Sequence, residues 1–511
     1  MRNAERFGAK FATSIITTLN CVDHLIFKGY LPFGGDKQLN QFVDGLGIRR
    51  KDFLPQLEPL AEQLVEHAKT AAAQADASYH YLQGQHSKEQ LIDKAIRERK
   101  LTTGLIAVLC CQENCRTVKL RHGEGRPQLA FACRPQRVLY YYYLDPDFGR
   151  IHVRIQTWFP FTVQIYVNGH DWLAQQLTKK RAGFVQRDNC FTQLDDPAAA
   201  QRQADDFFSL AWKSRLHQWA KRVNPLLKTV TWLRGMEYRW VIDQFEYSTD
   251  VLFRSRQSLA ELYPRLLDHA AVHFSAQDIL TFLGRKLHGN FQGEVLTQCQ
   301  KDRHPGARIK HRMKNNWLKM YDKFGQVLRV ETVINNPREF KVRRWRKRRG
   351  RRQKVWCPMN KGIINLYRYR TAAHAANMRY LEALSVVNDP APAYQQVAAL
   401  VQSKKAGQRR FAGFNPARRE DVEFFRAVLR GEHELQGFRN ADLRRLLRQD
   451  DHDPEQRRRN RAAIGRRLQR LRVRGLVAKI PHTRRWKVTS LGHQTLGICV
   501  RLYYHGLATA A

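Results

Sequence analysis

The chain has 511 residues, 43% hydrophobic and 11% aromatic, which fits two to four folded domains and excludes a disordered chain. Lys and Arg number 89 against 46 Asp and Glu, a formal net charge of +43. Self-repulsion on that scale calls for a polyanion, so nucleic acid, DNA first, is the expected partner.

The first twenty residues lack the continuous apolar core of a signal peptide. No run of about eighteen apolar residues follows anywhere, so no membrane span is expected. A cytoplasmic, nucleoid-associated setting is the default. Residues 23–33 alternate as a strand, with Leu25, Phe27 and Leu31 on the core face and His24 and Lys28 outward. Residues 52–77 turn helical, with Leu54, Leu57, Leu60, Leu64 and Ala68 at intervals of three or four. Ser87 followed by Gln90 has capping-box spacing and starts a helix to Arg99.

Residues 104–169 read as an antiparallel meander. Its clearest pair is 150–158 with 161–168. Ile151, Val153 and Ile155 face in with Phe161, Val163, Ile165 and Val167. His152, Arg154, Gln156, Gln164, Tyr166 and Asn168 make a polar face, either solvated or suited to phosphate and base edges. Cys110, Cys111, Cys115 and Cys133 cluster without a recurring CxxC pair, so buried free thiols are expected there. Helices are expected near 170–180 and 197–210.

The stretch 238–253, YRWVIDQFEYSTDVLF, fits two conformations. As a helix it places Asp243, Glu246 and Asp250 on one face. As a strand, which its Val, Tyr, Thr and Phe favour, it places Glu246 and Asp250 with Gln244 and Ser248. Clustered carboxylates bind magnesium or manganese beside a phosphodiester, or pair with the abundant arginines. Helices follow over 254–269 and 275–287, the latter capped by Ser275.

Residues 317–334 predict a hairpin with the three-residue loop Phe324-Gly325-Gln326. That register pairs Tyr321 with Arg329 and Lys319 with Glu331, making a cross-strand ion pair one role for Glu331. Asp322 beside the loop is expected to satisfy turn backbone. Between Arg338 and Lys354 lie eleven Lys or Arg residues, with Trp345 inside the tract and Trp356 just after it. Arg343, Arg344, Arg346, Lys347, Arg348, Arg349, Arg351 and Arg352 are the expected phosphate contacts. The tryptophans add stacking on a single strand. A solvated loop is the plain alternative.

A turn at 360–370 and a helix at 371–385 close an α+β body over 1–388, built on an antiparallel or mixed sheet with flanking helices. Residues 389–413 lose periodicity and read as a linker. Over 414–511 the order is helix, helix, long arginine-rich helix, two short strands around Pro481-His-Thr-Arg-Arg485, and a last helix. The phrase LQRLRVRGLVAKIPHTRRWKVTSLGHQ resembles the recognition helix and wing of winged helix-turn-helix domains. The resemblance implies that the third helix enters the major groove. It makes Arg459, Arg461, Arg466, Arg467 and Arg470 helix contacts, and His482, Thr483, Arg484 and Arg485 wing contacts.

The pattern KMYDK followed by LRVE, within 317–335, resembles a motif of rolling-circle replication initiators. Those enzymes nick DNA with a tyrosine nucleophile and a metal. The resemblance implies roles for Tyr321, Asp322, Lys323, Arg329 and Glu331, and among Tyr247, Tyr367 and Tyr369 no further tyrosine identifies itself as the nucleophile. The histidine pair of such enzymes is absent: IHV at 151–153 offers only His152. The whole chain also resembles uncharacterised bacterial proteins associated with mobile elements. The expectation is a DNA-binding protein of a mobile element, acting in replication or transposition, with the winged helix choosing the site. One alternative is a nicking enzyme or transposase using Mg or Mn, with ligands drawn from His152, Asp243, Glu246, Asp250 and Glu331. Another is a non-catalytic transcription regulator with a ligand-sensing body.

Overall fold

The computed structural model describes residues 5–83, 87–122, 126–285, 293–301, 307–348, 350–387, 391–447, 453–481 and 483–506. Arg349 and His482 lie outside the described residues, as does the side chain of Arg348. The protein is α+β, and its backbone divides into two compact units. The sheet unit comprises Thr17–Leu252 and Glu331–His374; the terminal unit comprises Met1–Ile16, Phe253–Val330 and Ala375–Ala511.

The sheet unit is built on β1 (Ile15–Tyr30), β2 (Ser78–Tyr81), β3 (Gly104–Arg121), β4 (Gln128–Asp145), β5 (Gly149–Gln156), β6 (Val163–Val167) and β9 (Arg239–Phe253); a small hairpin, β7 (Phe184–Arg187) and β8 (Cys190–Leu194), stands apart. The order across the sheet is β2–β3–β4–β5–β6–β1–β9. Residues 331–334 belong to the strand beside β9. The sheet is mixed, because β2 runs parallel to β3 while β3 through β6 and β1 are antiparallel. Register follows the alternation: Phe27 pairs with Ile165, and Val153 with Ile165 from the other side. Phe27, Ile151, Val153, Ile155, Val163, Ile165 and Val167 are all fully buried. Each such side chain contributes about 1.5–3 kcal/mol through burial. Trp212 and Trp219, on the helix Trp212–Val223, pack against Phe27 and Phe148.

The second face is less open than the alternation predicts. The helix Lys88–Arg99 packs on it through Ile92, against Ile106 and Tyr142. Ser87 caps that helix by accepting from Gln90 N–H. Arg154 and Gln156 are buried there, and Arg154 meets Glu113 at 2.8 Å. Polar side chains stay on this face because they bond one another, with the Tyr140 hydroxyl also donating to Glu113 at 2.6 Å. Cys110, Cys111 and Cys115 are buried free thiols; Cys133 is exposed.

The terminal unit contains β10 (Val295–Lys301), β11 (Ala307–Met313), β12 (Asn316–Lys323) and the first half of β13 (Val327–Ile334). The β12–β13 loop is the expected Phe324-Gly325-Gln326. Phe324 and Gly325 adopt positive φ, and Asp322 Oδ1 accepts from Gly325 N–H at 2.9 Å. Burial raises the Asp322 carboxyl to about 6.

His311 on β11 is fully buried. Its Nδ1 lies 2.9 Å from the Thr297 hydroxyl and its Nε2 2.9 Å from the Tyr380 hydroxyl. Burial pulls its pKa down from 6.5 to about 3. A depressed folded-state pKa gives stability present above pH 6.5 and lost as pH falls toward 3. Thermal melts from pH 7 to pH 4 should therefore show a shallower loss of Tm in His311→Gln than in the parent.

One sequence expectation changes in this unit. Residues 389–413 are not an irregular linker: they include the helix Ala391–Val401 and a hairpin of Lys404–Ala406 with Arg409–Phe411. Leu400 and Phe414 enter one core with Phe424, Phe425, Phe438, Ile464, Leu468 and Leu471. Within 414–506 the helices are Arg419–Val428, Asn440–Leu446, Pro454–Val473 and Ser490–Arg501, with the strands Val477–Lys479 and Trp486–Val488 between the last two. Arg439 takes the N-cap place of the helix Asn440–Leu446, and Asp442 accepts from its N–H. Gly475, at φ +74°, ends the long helix.

Candidate metal centre and nucleic-acid interface

The stretch 238–253 is a strand, which settles its two readings. Gln244, Glu246, Ser248 and Asp250 share one face of β9, and Asp243 takes the other. In the sheet unit three buried carboxylates converge: Asp23 from β1, Glu246 from β9 and Glu331 from β13. One oxygen of each lies within 4.8 Å of the others. Among the described residues this is the one such group of His, Cys, Asp and Glu.

Surrounding side chains fix the carboxylates. His170 is fully buried at the start of the helix Gly169–Lys179, whose N-cap is Asn168. Its Nδ1 lies 3.3 Å from Asp23 Oδ1, and its Nε2 lies 3.4 Å from Asp250 Oδ2. Asn189, in the β7–β8 turn, donates to Asp23, and Gln244 donates to Glu246. Gly169 allows the helix to approach β1: a Cβ there would lie 2.4 Å from the Val22 carbonyl oxygen.

Three converging carboxylates, two of them held by hydrogen bonds from Asn189 and Gln244, suit a hard divalent cation such as Mg2+ or Mn2+. The donor set lacks sulfur and nitrogen, which argues against zinc. Of the predicted ligands, Glu246 and Glu331 meet here. Asp250 reaches the group only through His170. Asp243 is excluded by strand parity and pairs instead with Lys361 at 3.1 Å. His152 is also outside, stacked on Tyr166 with ring centroids 5.0 Å apart. Burial lowers the His152 pKa to about 3.

Of the candidate tyrosines, Tyr247, Tyr321 and Tyr369 are enclosed, whereas Tyr367 is 53% exposed. Tyr247 lies on the β9 face opposite Glu246, beside Phe245, and is 1% exposed. Burial pushes its phenol well above the usual range. Tyr321 on β12 is buried as well. A tyrosine attack would need an accessible phenolate, which neither position offers.

Asp23 and His170 are the functional residues that sequence reasoning missed. Asp23 had a signal, since it has the parity of Leu25 and Phe27 and so stands as a charge on a core face. His170 had a weaker one: it follows an Asn-Gly helix start.

The basic tract is a two-stranded ribbon, β14 (Lys341–Arg348) paired with β15 (Arg351–Pro358). It belongs to the sheet unit. Alternation divides its residues. Arg343, Lys347 and Arg352 share a face with Trp345 and Trp356; Arg344, Arg346 and Arg351 take the other. Arg344 donates to Asn365 at 2.7 Å.

In the terminal unit several predicted contacts are engaged in packing. Arg467 reaches Glu420 and Asp421, and Arg470 stacks 3.8 Å over Phe414 while donating to the Ala412 carbonyl. Arg485 donates to the Gly437 carbonyl, and Thr483 shapes its own turn. Arg459, Arg461, Arg466 and Arg484 are exposed. Arg459 also pairs with Glu455.

No protein-family model, curated protein or solved structure matches this chain.

Proposed function

We propose that this chain binds DNA and, with Mg2+ or Mn2+, cleaves or transfers a phosphodiester. The observation that carries the reading is the convergence of Asp23, Glu246 and Glu331 in a chain of net charge +43. Asp23, Glu246 and Glu331 would hold the cation. Such a cation acts as a Lewis acid on a phosphoryl oxygen. His170 and Asn189 orient Asp23, and Gln244 orients Glu246. The enclosure of Tyr247, Tyr321 and Tyr369 favours water, or a nucleic-acid hydroxyl, over a covalent intermediate at those positions, and leaves Tyr367 as the exposed phenol.

The residues from 414 onward are read as a winged helix-turn-helix domain that selects the site. Support comes from the order of three helices, a hairpin and a helix around one core. Arg459, Arg461, Arg466 and Arg484 are its available contacts. The link to replication or transposition of a mobile element rests on the sequence resemblance. A regulator with a ligand-sensing body is the second reading. It draws on a cavity of about 540 Å³ in the terminal unit, lined by Val272, Phe274, Ile279, Glu434 and His493 among others.

The test incubates the full chain with end-labelled single-stranded and duplex DNA, with Mg2+, Mn2+ or EDTA. Metal-dependent products without a protein–DNA adduct are expected. Tight binding with no cleavage in either metal would sink the catalytic reading, and a covalent adduct would restore the tyrosine.

A further inference from the structure

The β14–β15 ribbon is amphipathic in an unusual sense. One face is anchored: Cys357 is buried, Val342, Arg344 and Val355 are half-buried, and Arg344 is tied to Asn365. The opposite face carries Lys341, Arg343, Trp345 and Lys347 on one strand and Arg352, Lys354 and Trp356 on the other. Both indoles are largely exposed, Trp345 at 62% and Trp356 at 65%. Two large apolar rings left in water on one charged face suit a partner that covers them.

Register arranges this face as two crossed cation–indole pairs. Arg343 stands opposite Trp356, and Lys354 opposite Trp345. The guanidinium carbon of Arg343 lies 5.9 Å from the Trp356 ring centre, and Lys354 Nζ lies 6.0 Å from that of Trp345. Each pair offers a flat apolar plate beside a positive charge, the combination that a base and its phosphate require.

We propose that this face binds a single-stranded segment of the nucleic acid, stacking one base on Trp345 and another on Trp356. The inference rests on the nucleic-acid reading above and assigns its substrate class. Diagonal neighbours on a sheet face stand about 7–8 Å apart. Successive bases in a duplex strand rise only about 3.4 Å. A strand touching both indoles is therefore unstacked between them, and paired bases within a duplex cannot present their faces in this way. Arg343, Lys347, Arg352 and Lys354 hold the phosphates.

The experiment measures anisotropy of labelled oligothymidylate and of a labelled duplex of equal length, in EDTA, using the full chain. Trp345→Ala combined with Trp356→Ala should weaken oligothymidylate binding at least about tenfold. Duplex affinity should stay unchanged. Trp345→Phe with Trp356→Phe should restore most of the loss, because a stacking plate returns. Unchanged melting temperatures are expected, since both side chains are exposed. The proposal is overturned if the alanine variant keeps oligothymidylate affinity, or if both substrates weaken equally. Because EDTA removes any metal requirement, failure here leaves the cleavage reading standing, and absent cleavage leaves this one standing.

Discussion

Glu331→Gln should leave a folded protein that still binds DNA but has lost its response to manganese. The amide keeps the shape and removes the charge, and the cation loses one of three carboxylate oxygens. Removing even an orienting partner of a metal ligand costs about 10–100-fold, so removing a ligand should lower cleavage by at least about a hundredfold. Asp23→Asn and Glu246→Gln should behave alike. Thermal melts separate this from the competing role of Glu331 as half of an ion pair. Manganese should raise the Tm of the parent by mass action and leave the variants unmoved. Without metal, each variant should keep a cooperative melt, because the amide replaces the carboxylate without a change of shape. A loss of about 3–5 kcal/mol with cleavage intact would instead mark Glu331 as a structural ion-pair partner.

Gly169→Ala should cost about 1–3 kcal/mol, the usual range for overpacking a closed contact. The added methyl would meet the Val22 carbonyl oxygen at 2.4 Å and the Val22 Cβ at 2.7 Å. The obstacle is the Val22 backbone itself, so the helix start must move away from β1. That start carries His170, whose contact with Asp23 should lengthen. Manganese affinity should then fall along with stability. Gly492→Ala is the control, because its methyl would lie 2.0 Å from the Leu476 carbonyl, in the terminal unit. It should destabilise without weakening manganese binding. Equal loss of manganese affinity in both variants would refute the positioning role of His170.

The fold was readable where one periodicity dominated. The alternation of 150–168 gave a correct pairing, and the loop 324–326 followed from matching apolar sets across an odd count. The stretch 238–253 stayed ambiguous because its acids are spaced for a helix while its side chains favour a strand. Half of the candidate site was visible: Glu246 and Glu331 stand out in a chain short of acids. Asp23 was hidden because attention went to the apolar members of its face. His170 was hidden because only the fold brings a helix start onto two aspartates. The arginines of 457–475 show a further limit. The winged-helix resemblance implied groove contacts, but Arg467 and Arg470 bond within the protein.

The ribbon of Lys341–Pro358 has one more consequence. Among the described residues β14 and β15 pair only with each other, so both outer edges keep backbone N–H and C=O groups able to accept another strand. Charged side chains along an edge oppose its pairing with another strand, so the lysines and arginines that suit phosphate also guard these edges.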